Sequence, residues 1–441
     1  MPRIGETPRV DQLVEVDRVH RAVYTDDMIF EQEIAHIFGH SWLFVGHESQ
    51  VPEAGSYFTT TLAGQPMVMV RQRDGSIKVL HNRCGHRGAL VVNARMGKAH
   101  KFNCIYHGWT FDTDGCLLHV PLESGYDGTR FKMCDPQFGM PAAAATESYK
   151  GFVFARLAGD GPALVDFLGG VRDVIDHLVE LSPTGRIEVR GNSFRSIYPC
   201  NWKIYLENLH DGVHPKFVHT SSVVASSKVR SELENSASGT EDDDFVLGVI
   251  AANGQSFGDM DKLQVHAYPN GHSSMRGFRK SVTDSGPFET LRDQLAERHG
   301  AEKSDEILAR NWHNMCVYPN LSMHPGFMQL RVLTPLSTKK TMVEVWCMRL
   351  VGAPDEIYRR AIMYANTVHA PSSVIKPDDL EAYQRVQAGL QTDSADWVSN
   401  HRRAGREDVG EGVKTDSALS EHYIRNQYEA WATYMAETDH A

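Results

Sequence analysis

Cysteine is scarce in this chain. Seven occur in 441 residues, at positions 84, 104, 116, 134, 200, 316 and 347, an odd and scattered set. Such usage argues against a disulfide framework and fits free thiols in a reducing cytoplasm. Long apolar runs are also missing: the best, VLGVIAA from Val246, is far too short to span a membrane. The N-terminus MPRIGETPRVD has no apolar core, so no secretory signal is expected. Positive charge is in deficit too. Forty-five Lys and Arg against 56 Asp and Glu leave a net charge of −11, with acids scattered rather than in blocks, which argues against a nucleic-acid partner and favours basic docking partners. Internal repeats and low-complexity tracts are absent. What remains, 41% hydrophobic and 23% charged residues, is enough for a sizeable core, and the length calls for two domains or a large one with an inserted module.

Periodicity divides the chain into two kinds of structure. In DDMIFEQEIAHIFG, residues 26–39, Phe30, Ile34, Ile37 and Phe38 fall on one stripe that stops at Gly39, which predicts an amphipathic helix with Thr25 as its N-cap. From Trp42 to about Ala155 short β-prone runs (SWLFVG, YFTTTL, PMVMVRQ, IKVLHN, FNCIYH, GFVFARL) alternate with the turn signals EAG, RDGS and DTDG. This predicts a small antiparallel β module. Beyond Leu157 the pattern is mixed, with helix over 164–181, strand in IEVRGNSFRSIYPCNWK and helix through KIYLENLHD. A polar Ser/Glu/Asp-rich stretch over 226–244 reads as a mobile loop. Strands follow in NMCVYPNLSM, FMQLRVLTPL and TMVEVWCMRLV, and helices in DDLEAYQRVQAGL and LSEHYIRNQYEAWATYM. The fold class is therefore α+β, an N-terminal-half antiparallel β domain followed by a larger domain with an antiparallel sheet covered by helices.

The β module carries an unusual constellation. In NRCGHRGALVVNARMGKAHKFNCIYHGW, Cys84 and His86 form a C-x-H pair, and Cys104 and His107 a C-x-x-H pair after seventeen intervening residues. Gly85, Gly88 and Gly108 stand at the loop tips, where backbone must approach closely or take positive φ. Two Cys and two His could be unconnected, could hold structural zinc, or could hold a Rieske [2Fe–2S] cluster. Zinc fingers usually pair Cys with Cys and His with His, whereas mixed loops suit two thiolates on one iron and two imidazoles on the other.

The runs CGHRG and CIYHGW resemble the Rieske module of the aromatic ring-hydroxylating oxygenases. The resemblance implies that Cys84 and Cys104 hold one iron and His86 and His107 the outer one. It also implies a cluster that accepts electrons from a reductase chain, and a division into an N-terminal helical segment (1–40) packing on the catalytic domain, a Rieske domain (41–157) and a catalytic domain (158–441).

A Rieske module needs only part of such a chain, so the remainder should use the electrons. In NWKIYLENLHDGVHPKFVH, residues 201–219, the spacing of Glu207, Asp211 and His214 predicts one helical face, and Pro215 predicts a kink that brings His219 round. Taken alone, the segment also reads as an acidic amphipathic helix with incidental histidines. It is similar, however, to the mononuclear-iron motif of the same family, N-W-K, E-N and D-x-x-H-x4-H. That likeness implies His214 and His219 as two facial-triad ligands to Fe(II) and Asp211 as a bridging acid toward a cluster histidine of an adjacent subunit. Glu207 and Asn208 become second-shell or pocket residues. Val213 stands where many members have Tyr, so His210 is a candidate for the missing contact. The third ligand is expected in KPDDLEAYQ, residues 376–384. By resemblance to benzoate-type members it is Asp378, with Asp379 as the alternative, although Pro-Asp-Asp is also an ordinary helix start.

The resemblance implies an oxygenase component that uses O2 and electrons from NAD(P)H, delivered by a separate reductase and optionally a ferredoxin, since no G-x-G-x-x-G follows a strand here. It implies a homotrimer, α3 or α3β3, and cis-dihydroxylation of a monocyclic aromatic acid as substrate. Monohydroxylation or oxidative demethylation of an aromatic or small quaternary-amine substrate is the alternative. Arg310 and Arg331 are candidates for a substrate carboxylate, and Met323, Phe327 and Met328 for an apolar pocket, against the plainer roles of structural arginines and core residues. An electron-transfer protein without oxygenase activity, or a colourless zinc protein, are the competing classes.

Overall fold

The structure, a computed structural model, describes residues 9–133, 135–189, 191, 193–277 and 286–436. Cys134 and residues 1–8 at the N-terminus therefore lie outside the described residues. The chain divides into two compact units, one of Ile34–Phe167 and one joining the residues up to Glu33 with Leu168 onward.

Every strand pairing in the smaller unit is antiparallel. Ile77–His81, Gln65–Arg71, Ser56–Leu62 and Met96–Lys98 form a four-stranded sheet in that order, and Leu117–His119, Thr110–Asp112 and Lys101–Asn103 a three-stranded one. A third sheet joins Ala145–Tyr149, Phe152–Arg156 and Leu43–His47. The runs expected as strands are strands, except that FNCIYH leaves the strand after Asn103 and turns at Cys104–His107, and their β-branched and aromatic residues pack onto a shared core. Val68, Val70, Leu80, Phe102, Trp109 and Phe111 are buried together with Cys84 and Cys104.

The larger unit is built on a ten-stranded antiparallel sheet. Its middle runs Lys340–Leu350, Gln329–Ser337, Leu321–His324, Trp312–Val317 and Ser273–Arg276. Helices Asp355–His369 and His422–Ala436 pack on it. The α+β class holds, with the antiparallel sheet and its helices as the sequence implied. No helix of the described residues is long and apolar enough to cross a membrane.

Three local expectations change. Residues 226–244 are helical rather than a loop: Thr220–Ser236 is one helix and Glu241–Ala251 the next. The polar composition hid ordinary helix formers, and Thr240 with Asp243 makes a capping box that starts the second helix. Near the N-terminus the cap is Asp26, whose Oδ1 accepts from the Met28 and Ile29 amides at 2.8 and 3.2 Å. Thr25 instead belongs to the preceding turn, its hydroxyl donating to Arg21 O, and the helix from Asp27 passes at Ile34 into a π-helical turn through Phe38. The segment is also not wholly helical, since Val14–Glu15 and Arg18–His20 pair with each other and the latter with Trp397–Ser399. Within the larger unit Glu33 is fully buried and ties the segment down, accepting from the indoles of Trp202 and Trp431 and pairing with Lys203.

Candidate metal centres

The Cys/His loops are two copies of one turn. The Cys84 amide donates to Ala89 O at 2.8 Å and the Gly88 amide to Cys84 O at 3.0 Å; Cys104 with Trp109, and Gly108 with Cys104, repeat both bonds at the same lengths. Gly88 and Gly108 close these turns at φ +76° and +70°, where any side chain would be strained. A buried Asn82 clamps the first loop, accepting from the Val91 and Val92 amides and donating to Val92 O. The result is two buried thiols and two part-exposed imidazoles. His86 and His107 stand edge to face with centroids 4.6 Å apart, and His86 stacks on Trp109 at 4.9 Å.

The chemistry of these donors suits a two-iron cluster. Burial pushes the Cys84 thiol up, opposed by the His86 and Arg87 amides and reinforced by Cys104 beside it, so thiolates here need a cation. His86 Nδ1 is buried without a hydrogen-bond partner. A single tetrahedral ion would draw all four donors together. Yet among the described residues the one set of three or more His, Cys, Asp or Glu ligand atoms lying within 4.8 Å of one another is elsewhere. Cys104 stands beside Cys84, and the His86 and His107 rings face each other, a pairing of thiol with thiol and imidazole with imidazole that suits a [2Fe–2S] cluster.

That converging set is His214, His219 and Asp379, in the larger unit. Glu207, Asp211 and His214 do not share a helix. Trp202–Asn208 ends first, because the Asp211 carboxylate accepts from the Val213 amide at 2.9 Å and turns the backbone aside. Pro215 then opens a short helix, Pro215–Val218, instead of ending one. His214 and His219 flank it, and their rings lie 5.9 Å apart, so the two histidines are brought together as expected by a different route.

The acidic partners come from the first turn of Lys376–Gly389. Asp379 Oδ1 is 3.3 Å from His219 Nε2 and 3.9 Å from His214 Nε2, and it is buried without a hydrogen-bond donor. Donors sharing an ion bonded at about 2.1 Å stand roughly 3 Å apart when adjacent, close to these spacings. Asp378 lies on the other edge of the ring: its Oδ2 is 3.4 Å from His219 Nδ1 and accepts from Ser222 Oγ at 3.0 Å. The expectation of Asp378 therefore moves to Asp379. Burial opposes charge on His219, but hydrogen bonds and charge from Asp379 and Asp378 outweigh it and raise the imidazole above its usual range.

Around this set, Asp211 Oδ2 is 3.5 Å from His214 Nδ1, and its Oδ1 accepts from Arg402 Nη2 at 3.1 Å. Arg402 also faces Glu421 at 3.5 Å. Nothing in the spacing of the sequence signals Arg402. His210 does not supply the missing tyrosine contact; its Nε2 meets Ser273 Oγ at 2.9 Å, and burial drives its imidazole down to about 3. Glu207 turns away from the cavity, accepting from the hydroxyls of Tyr24 and Tyr428 at 2.8 and 2.5 Å, and burial pushes it up to about 7. Asn208 does line the cavity.

The three donors open onto a small inner cavity of about 160 Å³ walled by Tyr198, Tyr205, Tyr364 and Tyr383. It shares His313, His324, Tyr364, Val368 and Ile375 with a larger, mostly apolar cavity of about 620 Å³ that reaches Phe245, Phe288 and Leu291. Phe327 and Met328 line the larger one, and Phe327 stacks on Tyr364 at 4.0 Å. Met323 is instead fully buried core that lines neither. Arg310 is committed to Glu180 and Glu306 in ion pairs. The geometry offers an open-sided metal site at the inner end of an aromatic pocket.

Known proteins agree. Residues 41–132 match the Rieske [2Fe-2S] domain, and residues 178–437 match the ring hydroxylating alpha subunit catalytic domain. The chain is 34% identical to the toluate 1,2-dioxygenase alpha subunit of Pseudomonas putida over 92% of its length and 87% of that protein. It is 29% identical to the 2-halobenzoate 1,2-dioxygenase large subunit of Burkholderia cepacia, over 88% and 80%. A solved naphthalene 1,2-dioxygenase with indole bound superposes with a TM-score of 0.79 at 24% identity, over 96% and 93% of the two chains, and so shares the fold. The chain belongs to the ring-hydroxylating oxygenase alpha subunits, enzymes that incorporate O2 into aromatic rings with a Rieske [2Fe–2S] cluster and a mononuclear iron as cofactors.

Proposed function

We propose that this chain is the cytoplasmic oxygenase subunit that cis-dihydroxylates a monocyclic aromatic carboxylate. In this reading His214, His219 and Asp379 hold the mononuclear iron, and Cys84, His86, Cys104 and His107 hold the cluster. The observation that carries it is the convergence of the three ligand atoms on one side of a tyrosine-lined cavity. When bound, the iron supplies O2 activation and the cluster supplies electrons relayed from NAD(P)H through a separate reductase, with or without a ferredoxin.

The protein's own groups do the positioning. Asp378 accepts at Nδ1 of His219, which fixes the tautomer and leaves Nε2 facing Asp379. Asp211 stands 3.5 Å from Nδ1 of His214 and biases its tautomer by charge, and Arg402 holds Asp211 in place. The aromatic walls order a flat substrate and exclude water from the reacting edge. Asp211 further couples its iron site to His86 or His107 of a neighbouring copy in a ring-like homotrimer, α3 or α3β3. The partial exposure of His86, His107 and Asp211, with Ile105 and Tyr106 open to contact, supports that route.

The relatives named for toluate and 2-halobenzoate, both carboxylates, support the substrate class. The test is turnover of a panel of aromatic acids with a reductase and isotopically labelled O2. Both labelled oxygen atoms in the product are expected. Incorporation of one atom, or turnover of hydrocarbons alone, would overturn dihydroxylation or the acid substrate respectively.

A further inference from the structure

Arg331 is an arginine without an obvious purpose in the folded chain. It sits on Gln329–Ser337 opposite Ser322, is 7% exposed, and lines the inner cavity with His214, His219 and Asp379. Its Nη2 donates to Asn314 Oδ1 at 2.9 Å, and Asn314 is itself fixed by donating to Leu209 O at 2.8 Å. Its Nε is buried with no acceptor, and the groups that bear on it are the phenols of Tyr205, Tyr364 and Tyr198. Among the described residues no carboxylate pairs with it. Other buried arginines are satisfied: Arg425 pairs with Glu407, and Arg156 donates to two carbonyls and covers Trp42. A buried guanidinium lacking a counter-charge is costly, so the fold keeps it for a group that arrives later.

A second unsatisfied group lines the same cavity. His324 ends the strand Leu321–His324, is 2% exposed, and both of its ring nitrogens are buried without partners. Its ring packs edge to face on His313 at 4.2 Å and on Tyr364 at 5.3 Å, so its orientation is set by aromatic packing. Burial keeps it neutral, leaving one N–H to donate.

We infer that Arg331, assisted by the N–H of His324, is the anchor for the carboxylate of the aromatic substrate and so selects acids over neutral rings. This rests on the oxygenase reading above and names a recognition site within it. A carboxylate is planar and acceptor-only, and it matches the guanidinium fork in charge and geometry. Asn314 presets the fork, so little ordering is needed on binding. The same buried cation repels a quaternary ammonium, which turns the cavity against cationic substrates.

The test uses the holoenzyme and two near-isosteric probes, benzoate and neutral benzamide, titrated by calorimetry. Wild type is expected to bind benzoate roughly a hundredfold tighter than benzamide. Arg331→Met is expected to remove that preference, Arg331→Lys to restore part of it, and His324→Phe to weaken benzoate roughly tenfold. Iron content and the reduced-cluster EPR signal report whether each variant is intact. If Arg331→Met misfolds, the wild-type ratio still decides: equal affinity for the two probes overturns the anchor. Equal affinity in an enzyme that oxygenates neutral rings sinks the anchor alone. Failure to oxygenate any aromatic compound with a competent reductase sinks the oxygenase reading with it.

Discussion

The two metal centres are built by opposite strategies. Each Cys/His loop closes within six residues, on its own backbone hydrogen bonds and its own positive-φ glycine. The proposed iron set takes two histidines from the ends of a four-residue helix and its carboxylate from a helix that begins at Lys376. The first centre is specified by local turn geometry and inherits the stability of a small β unit. The second exists only when distant segments converge, so its supporting residues are scattered and each acts through another. Damage should stay local in one and spread in the other.

The sharpest break between neighbouring residues is expected at the acidic pair. Asp379→Ala should lose iron and lower turnover by about a thousandfold or more, as expected for removal of a ligand rather than its support. Asp378→Ala should keep most of the iron and cost roughly tenfold, because it removes only the acceptor at His219 Nδ1. Metal analysis of both proteins, with cluster absorbance as the internal standard, reads the difference directly. Iron loss in the Asp378 variant alone would reverse the assignment.

Next in size is Asp211→Ala. Both cofactors should remain bound while turnover falls about a hundredfold. Normal turnover in that variant would refute both the His214 support and the route between subunits. Arg402→Met should cost less, roughly tenfold, since Arg402 acts only through Asp211 and is partly exposed. Arg402→Lys should recover part of the loss, because a point charge still faces Asp211 without the fork. An Arg402→Met protein with unchanged turnover would detach Arg402 from the site.

The same contrast explains what could be read without coordinates. The Cys/His loops were legible because their chemistry and their geometry occupy the same few residues. His214 and His219 were legible from the motif, though the helix assumed for Glu207, Asp211 and His214 does not exist. Choosing Asp379 over Asp378 needed the rotation of one helix. That rotation shows in the structure: Lys376, Asp379, Tyr383 and Gln387 fall at helical spacing, and Lys376, Tyr383 and Gln387 are buried, which turns Asp379 toward the interior. Arg402 and Arg331 carried no signal in their spacing, because their partners lie in remote segments and only packing brings them together. The helical character of 226–244, which reads as a loop, was missed for another reason, a polar composition that outweighed a capping box.

The smallest effect belongs to the turns that make the cluster loops alike. Gly88→Ala and Gly108→Ala each force a side chain into left-handed backbone, at a cost of about 1–2 kcal/mol. The two should not be equal. An added Cβ at Gly88 meets the Arg83 side chain at 3.3 Å, which can swing away, whereas at Gly108 it meets the Pro121 ring at 3.1 Å, which cannot. The expected order of cluster loss in thermal scans followed by visible absorbance is therefore Gly108→Ala first, then Gly88→Ala, then wild type. Mononuclear iron content should be the same in all three at low temperature. Iron loss that tracks cluster loss in either variant would show the two centres to be coupled in stability, and the contrast between a locally built and a distantly assembled site would fail.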